Sequence, residues 1–278
     1  MTKKYYFLFL LTCFPVFLYP VNKSNAIGAR AKGMSDISVA IPDFWSMYSN
    51  QAAMPFYGKM GGGIYYDNRY LLKETSTSAL GFAFPLKNGS DVFAANMCHY
   101  GGGDFGEMQI GFAYSKSFAS VFSFGLQFDY LLDYFKDETY GKRSGFTFET
   151  GIYGQVNKYF SLGFHVYNPA RLKMMTYNNI VEYIPTILRL GFVYTLPKKC
   201  IIGVDIEKNL ETKMQYHIGV EYVFSSFFIL RGGLRLPDFS FSVGVGTQFK
   251  GLSIDFASSF HPYLGYSPQI AIIYAIKR

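Results

Sequence analysis

Long apolar stretches are almost absent from this 278-residue sequence once its first segment is set aside. The longest uncharged run, Phe256 to Ile276, is broken by Pro262 and Pro268 and is rich in Ser and Tyr, which excludes a membrane-spanning helix there. Segments rich in Ala, Leu, Glu and Lys, the residues helices favour, are scarce. Charged residues make up 16% of the chain, and it has one Trp, four His and three Cys. Cys13 falls in the first segment. Cys98 and Cys200 follow no metal-ligand spacing. A disulfide between them is compatible with the periplasm, but their spacing does not specify one. No cofactor or metal is expected.

What the chain does have is 24 Tyr, 29 Phe and 28 Gly, a bias toward strands and tight turns. It opens with a basic pair, Lys3 and Lys4, an apolar stretch from Tyr5 to Val21, and Ser24-Asn25-Ala26. This order reads as a signal peptide over residues 1–26, cleaved after Ala26. Pro15 and Pro20 argue against a retained helix. Cys13 lies inside the apolar run, where a lipoprotein cysteine would not sit. Without Lys3, Lys4 and Lys23 the rest holds 23 basic and 19 acidic residues, a net charge of +4. That weak excess, with no basic cluster interleaved with aromatics, does not point to nucleic acid.

After the leader, short segments of period-two alternation recur. Tyr216, Ile218, Val220 and Tyr222 alternate with His217, Gly219 and Glu221. Leu188, Leu190, Phe192 and Tyr194 oppose Arg189 and Gly191. Phe241, Val243 and Val245 oppose Ser240, Ser242, Gly244 and Gly246, and Phe122, Phe124 and Phe128 oppose Ser123, Gly125, Gln127 and Asp129. A soluble sheet would need another layer over its aromatic face, and no amphipathic helix is available to supply one. Lipid is the natural cover. The reading is an all-β transmembrane antiparallel barrel over residues 58–278, in the outer membrane of a Gram-negative bacterium. Fourteen strands are expected, roughly at 60–70, 76–86, 91–101, 106–116, 120–133, 145–156, 159–168, 183–196, 200–207, 213–223, 226–235, 238–249, 251–259 and 267–277. With the first strand running outward, the short connections fall on the periplasmic side and the longer ones, around 134–144, 169–182 and 260–266, outside.

Residues 27–57 precede the first strand. They are too polar for lipid and too long for a simple linker, so a plug in the lumen is expected. Polar residues on inward faces, Glu149, Arg189, Asp205, Glu207, Glu221, Arg231, Arg235 and Asp255, with Arg30 from the plug, are expected to form a luminal charge network. They would pair with one another and hold the plug, or line a polar path, because unpaired charge in a dry interior is costly. Asp205, Glu221 and Arg231 fall on successive strands, as in a charge ladder. Catalysis is not expected. His217 and Glu221 share a face but are separated by four positions, about 13 Å along a strand, and His261 lies in an outer loop beside Ser258 and Ser259. Gly61–Gly63 and Gly101–Gly103 lack the Lys-Ser/Thr and helix of a phosphate loop. They ease strand curvature or a close approach of the plug.

The N-terminal segment also carries a family likeness. Gly28-Ala29-Arg30-Ala31-x-Gly33-Met34, then Val39-Ala40, Asp43, Tyr48 and Asn50-x-Ala52, resembles the start of PorV/PorQ-type outer-membrane proteins, relatives of the FadL fatty-acid transporters. Ile184-Pro185-Thr186-Ile187-Leu188-Arg189-Leu190-Gly191, Gly219-Val220-Glu221-Tyr222 and Leu230-Arg231-Gly232-Gly233 are similar to later strands of that family, as is Lys250-Gly251-Leu252-Ser253-Ile254-Asp255. The chain departs from the pattern at Ser35-Asp36, at the single Asp43 and at Asn50-Gln51-Ala52. The resemblance implies a fourteen-stranded barrel plugged by the segment carrying Gly28, Arg30, Gly33, Asp43 and Asn50. It also implies an accessory role in a protein secretion or outer-membrane assembly machine, with other complex proteins and outer-membrane lipid as partners. The alternative is a FadL-like uptake channel for long-chain fatty acids or other hydrophobic small molecules. Short outer loops and a lumen satisfied by its own charges favour the accessory role.

Overall fold

A computed structural model of the chain describes residues 26–87, 89–136, 141–174, 182–197, 199–225 and 227–277. The expected leader therefore lies outside the described residues except for Ala26, and Cys13 with it. The strands are β1 (Lys59–Asn68), β2 (Ser76–Pro85), β3 (Asp91–Gly101), β4 (Phe105–Phe118), β5 (Phe122–Phe135), β6 (Lys142–Gln155), β7 (Phe160–Tyr167), β8 (Lys173–Met174), β9 (Glu182–Tyr183), β10 (Ile187–Leu196), β11 (Cys200–Asn209), β12 (Gln215–Ser225), β13 (Phe228–Leu236), β14 (Ser240–Phe249), β15 (Leu252–His261) and β16 (Gly265–Lys277). Fourteen of them form a closed antiparallel barrel in which β1 pairs with β16, Lys59 opposite Lys277; β8 and β9 form a separate hairpin. Closure pairs the strand backbones all round, the condition for crossing lipid without a helix.

Alternation along the strands sorts side chains into two environments. On β12, Tyr216, Ile218, Val220 and Tyr222 are exposed on the outside, while His217, Gly219 and Glu221 are buried inside. The same division holds on β5, β10 and β14. Ten residues rising about 3.3 Å each, tilted about 40°, reach ~25 Å, the height of an outer-membrane apolar band. Rings gather at the edges of that band, such as Phe118 on Phe122 with centroids 5.2 Å apart and Phe260 on Tyr266 at 5.0 Å. The protein is thus a transmembrane barrel of the Gram-negative outer membrane.

β10 begins four residues later than the expected 183–196 strand. Pro185 has no N–H for a ladder, and the approach to β10 is held by side chains instead: Asn168 Nδ2 donates to the Ile184 carbonyl (2.6 Å), and Thr186 Oγ1 donates to the Asn168 carbonyl (2.8 Å). The turn between β14 and β15 and that between β12 and β13 are tight, whereas the β7–β10 connection at the other end is long. Short turns belong to the periplasmic side. Both ends of the barrel sequence, at Lys59 and Lys277, lie there too.

The segment before β1 folds into part of the lumen. It forms a short helix α1 (Ala29–Gly33), 3-10 turns at Phe44–Tyr48 and Gln51–Ala53, and a helix α2 (Met54–Tyr57). Phe44, Trp45, Met47 and Met54 pack against Tyr65, Ala79, Ala83 and other wall residues. Met34, Ile37, Ala40 and Ile41 form a second cluster with Val193. The wall admits the plug backbone through inward glycines on several strands. A Cβ at Gly125 would meet Gln51 and Ala52, at Gly163 the Val39 carbonyl, at Gly203 Ile37, at Gly219 Met34, and at Gly244 the Cα of Gly33. Gly63 of the first glycine triplet serves the same end, since a Cβ there would run into Phe44.

Candidate functional site

Period-two register on the wall and local turns in the plug bring the polar side chains together. Arg30 leaves α1 and meets Glu221 of β12 at two points, Nε to Oε2 at 2.9 Å and Nη2 to Oε1 at 2.6 Å. Glu221 Oε2 also accepts from Arg231 Nε (2.6 Å), and Arg231 Nη1 reaches Asp255 Oδ1 (2.6 Å). Asp43 stands 3.7 Å from Arg30. Asp43 also caps the Phe44–Tyr48 turn in a box with Ser46, which fixes its direction. Burial works against the Arg30 charge, but Glu221 and Asp43 overcome this and hold its guanidinium protonated well above the ordinary range.

The other expected network residues form separate groups. Asp205 takes no part in the Glu221–Arg231 ladder. Its Oδ2 accepts from the backbone N–H groups of Ser38 (2.8 Å) and Val39 (3.1 Å), tethering the plug. Arg189 pairs with Glu207 at 2.8 Å. Arg235 stands 3.9 Å from Asp36, which Lys32 holds more closely at 2.8 Å. Glu149 Oε2 accepts from Gln51 Nε2 of the plug (2.9 Å) and lies 2.9 Å from His165 Nε2. Around it Gln127 Nε2 bonds Asp129 Oδ1 and Glu149 Oε1, and Asn96 Nδ2 bonds Gln127 Oε1. Sequence reasoning did not single out Asn96, Gln127, Asp129 or His165 as site residues. Their signal is the same alternation, with His165 inward between Phe164 and Val166.

Within the plug motif, Gly28 has φ +107° and no room for a side chain against Trp45. Asn50 caps the Gln51–Ala53 turn by accepting from Ala52 N–H, and its Nδ2 donates to the carbonyls of Val39 (2.9 Å) and Ile152 (3.1 Å). His217 Nδ1 lies 2.7 Å from the Ser35 carbonyl, and His99 Nε2 lies 2.7 Å from the Tyr134 hydroxyl. Among the described residues, no group of three or more His, Cys, Asp or Glu could hold a metal ion. Cys98 and Cys200 form no disulfide with each other.

Above the plug, toward the outer mouth, the lumen is open. One cavity of about 90 Å³ is lined largely by rings and apolar groups, among them Tyr48, Tyr65, Tyr100, Tyr167, Met108 and Ile187, with Ala26 and, from the plug, Ile27 at its edge. A second, of about 230 Å³, is polar, with Ser35, Ser240, Ser259, Ser267, Gln215 and Gln269 in its wall. The two share Lys32, Asp67 and Arg69. Glu149 and Arg189 in the wall of the first cavity are engaged by Gln51 and His165 and by Glu207, and the rings between them can take up an apolar molecule. The aromatic load of the sequence read as lipid-facing, so inward rings such as Tyr65 and Tyr167 went unnoticed.

No family model and no curated protein matches the chain. Solved structures do match its fold. The toluene transporter TodX of P. putida aligns with TM-score 0.64 at 12% identity, over 90% of this chain and 97% of that one. The Ralstonia pickettii toluene transporter TbuX gives 0.63 at 13%, over 90% and 97%. A Pseudomonas aeruginosa FadL homologue gives 0.62 at 12%, over 90% and 97%. These likenesses correct the PorV/PorQ-type reading and the secretion or assembly role drawn from it: the barrel resembles hydrocarbon and FadL-type channels. The physical reason is that Gly28, Gly33, Asp43 and Asn50 serve to seat a plug against a wall, a task that does not specify an outside partner. The lumen is also not filled throughout, and the room for a ligand lies inside the barrel, where outer-loop length is no guide to it. By shared architecture, the chain is similar to the FadL-type channels of the outer membrane.

Proposed function

We propose that this barrel carries small hydrophobic molecules across the outer membrane, as a FadL-like uptake channel. In this reading residues 1–26 are a cleaved leader, 27–57 the luminal plug and 58–278 the barrel. The observation that carries the reading is the ring-lined cavity between the outer mouth and the plug. The names of the fold relatives, toluene transporters and a FadL homologue, support it. The charge groups of Arg30, Glu149, Asp205, Glu221, Arg231, Arg235 and Asp255 hold the plug in place beneath the cavity, while Arg189 and Glu207 pair between neighbouring wall strands. Passage then requires part of the plug to shift, because its hydrophobic clusters fill the lumen below.

The single tryptophan is a built-in reporter. Trp45 lies 6.1 Å, ring to ring, from both Tyr48 and Tyr65, two residues of the cavity wall. Titrating the purified full-chain barrel in phospholipid nanodiscs with an alkylbenzene should change Trp45 fluorescence saturably. A strictly linear response, as from partition into lipid alone, would count against the proposal.

A further inference from the structure

The polar cavity beside the ring-lined one is not explained by uptake of bare hydrocarbons. It is the larger of the two, at about 230 Å³ against about 90 Å³. Two of its cations face one carboxylate, Lys32 holding Asp36 at 2.8 Å and Arg235 standing 3.9 Å from it, and the Arg69 guanidinium lies 5.7 Å from the Tyr100 ring. What it presents instead are buried hydrogen-bonding atoms without partners. Gln269 is 4% exposed and its Oε1 accepts nothing; Gln215 Oε1 is in the same state, and Arg235 Nε donates to nothing. The Gln269 amide has a definite orientation, because its Nε2 points to Asp67 Oδ1 (3.4 Å) and Ser259 Oγ (3.5 Å). The Gln269 vacancy is therefore an acceptor, which calls for a donor.

We infer that the two cavities form one two-lobed site for an amphipathic molecule, with an apolar or aromatic body in the ring-lined lobe and a hydroxyl-bearing end in the polar lobe. This rests on the uptake reading and names its substrate class. A hydroxyl donates to a glutamine carbonyl and accepts from Arg235 Nε, so one group serves both kinds of vacancy. A carboxylate can only accept, so it meets Arg235 Nε but leaves the Gln269 oxygen unsatisfied. A bare hydrocarbon leaves all three atoms as they are. The lobes join at Lys32, Asp67 and Arg69, which places the polar end of a bound molecule beside the plug.

Three probes of similar size separate these cases: butylbenzene, phenylbutanol and phenylbutyrate. They are titrated against the full-chain barrel in phosphatidylcholine nanodiscs, with Trp45 fluorescence as readout and each affinity corrected for partition into empty discs. Phenylbutanol should bind about threefold to tenfold more tightly than butylbenzene, the effect of one net hydrogen bond, and more tightly than phenylbutyrate. Gln269→Leu and Gln215→Leu, on different strands, should each reduce that preference while butylbenzene binds as before; heat-modifiability on gels establishes that each variant is folded. Tightest binding by butylbenzene or phenylbutyrate overturns the inference and leaves uptake standing, as does a preference for phenylbutanol that survives both substitutions. Failure of all three probes to bind overturns the uptake reading and this one with it.

Discussion

Arg30 and Glu221 lie 191 positions apart in the chain and meet in a two-point ion pair inside the barrel, at 2.9 and 2.6 Å. The pair joins plug to wall, and Glu221 is shared with Arg231. Replacing Glu221 by Gln leaves the buried Arg231 and the half-buried Arg30 guanidinium groups short of an anion. Breaking a buried pair in this way costs about 3–5 kcal/mol. Glu221→Gln should therefore lower the urea midpoint of the Trp45 transition well below that of the parent, and a shift within error would show that the pair does not hold the plug.

The lipid face can be tested at Leu190, which is 36% exposed on the outside of β10 between inward Arg189 and Gly191. Leu190→Arg should cost about 2–4 kcal/mol in a refolding titration into bilayers, as an arginine near the midplane does. A loss under about half a kcal/mol, the size of an ordinary surface change, would place Leu190 away from lipid.

The glycine groove predicts a contrast between two substitutions. A valine at Gly163 must displace the Val39 carbonyl of the plug, whereas at Gly232 the nearest atom to a new Cβ is 3.9 Å away. Gly163→Val should cost about 1–3 kcal/mol, the range for overpacking, and make Trp45 more accessible to acrylamide. Gly232→Val should leave Trp45 protected. Equal quenching in the two variants would mean that the wall does not grip the plug there.

Asp36 gives the plug an acid limit. Burial alone would raise its carboxyl, but Lys32, with help from His217 and Arg235, outweighs this and lowers it from 3.8 to about 2. The folded state thus binds this proton less readily than the unfolded chain does. Its stabilisation is complete above the ordinary carboxylate value and is lost as pH falls from 3.8 toward about 2. Asp36→Asn should flatten that part of the Trp45 stability profile. An unchanged acid limb would assign the loss to other carboxylates.

How far the sequence anticipates these arrangements depends on what sets each one. Lipid outside and a polar lumen inside impose a period of two, so the faces of Tyr216–Tyr222 and Phe241–Val245 follow from their order alone. Inward charge is legible for the same reason. The choice of partner is not: Asp205 stands one strand from Glu221 yet bonds plug backbone, because the route of the plug along the glycine wall decides which atoms meet. Cavities are harder still. Tyr65 and Ile64 are adjacent and apolar, one facing the open lumen and the other lipid, and composition does not tell a ring beside empty space from a ring beside an acyl chain. The family likeness misled because its short motif records how a plug is seated.

The most direct test of the account is uptake itself. Cys98 of β3 lines the ring-lined cavity, and a tryptophan in its place fills that space while leaving the plug's ion pairs alone. Initial uptake of a radiolabelled alkylbenzene is measured in Gram-negative cells producing the parent barrel, the Cys98→Trp variant at equal outer-membrane level, or no barrel. The account predicts faster uptake with the parent and a return toward the barrel-free rate with Cys98→Trp. Equal rates in cells with and without the parent barrel would contradict it.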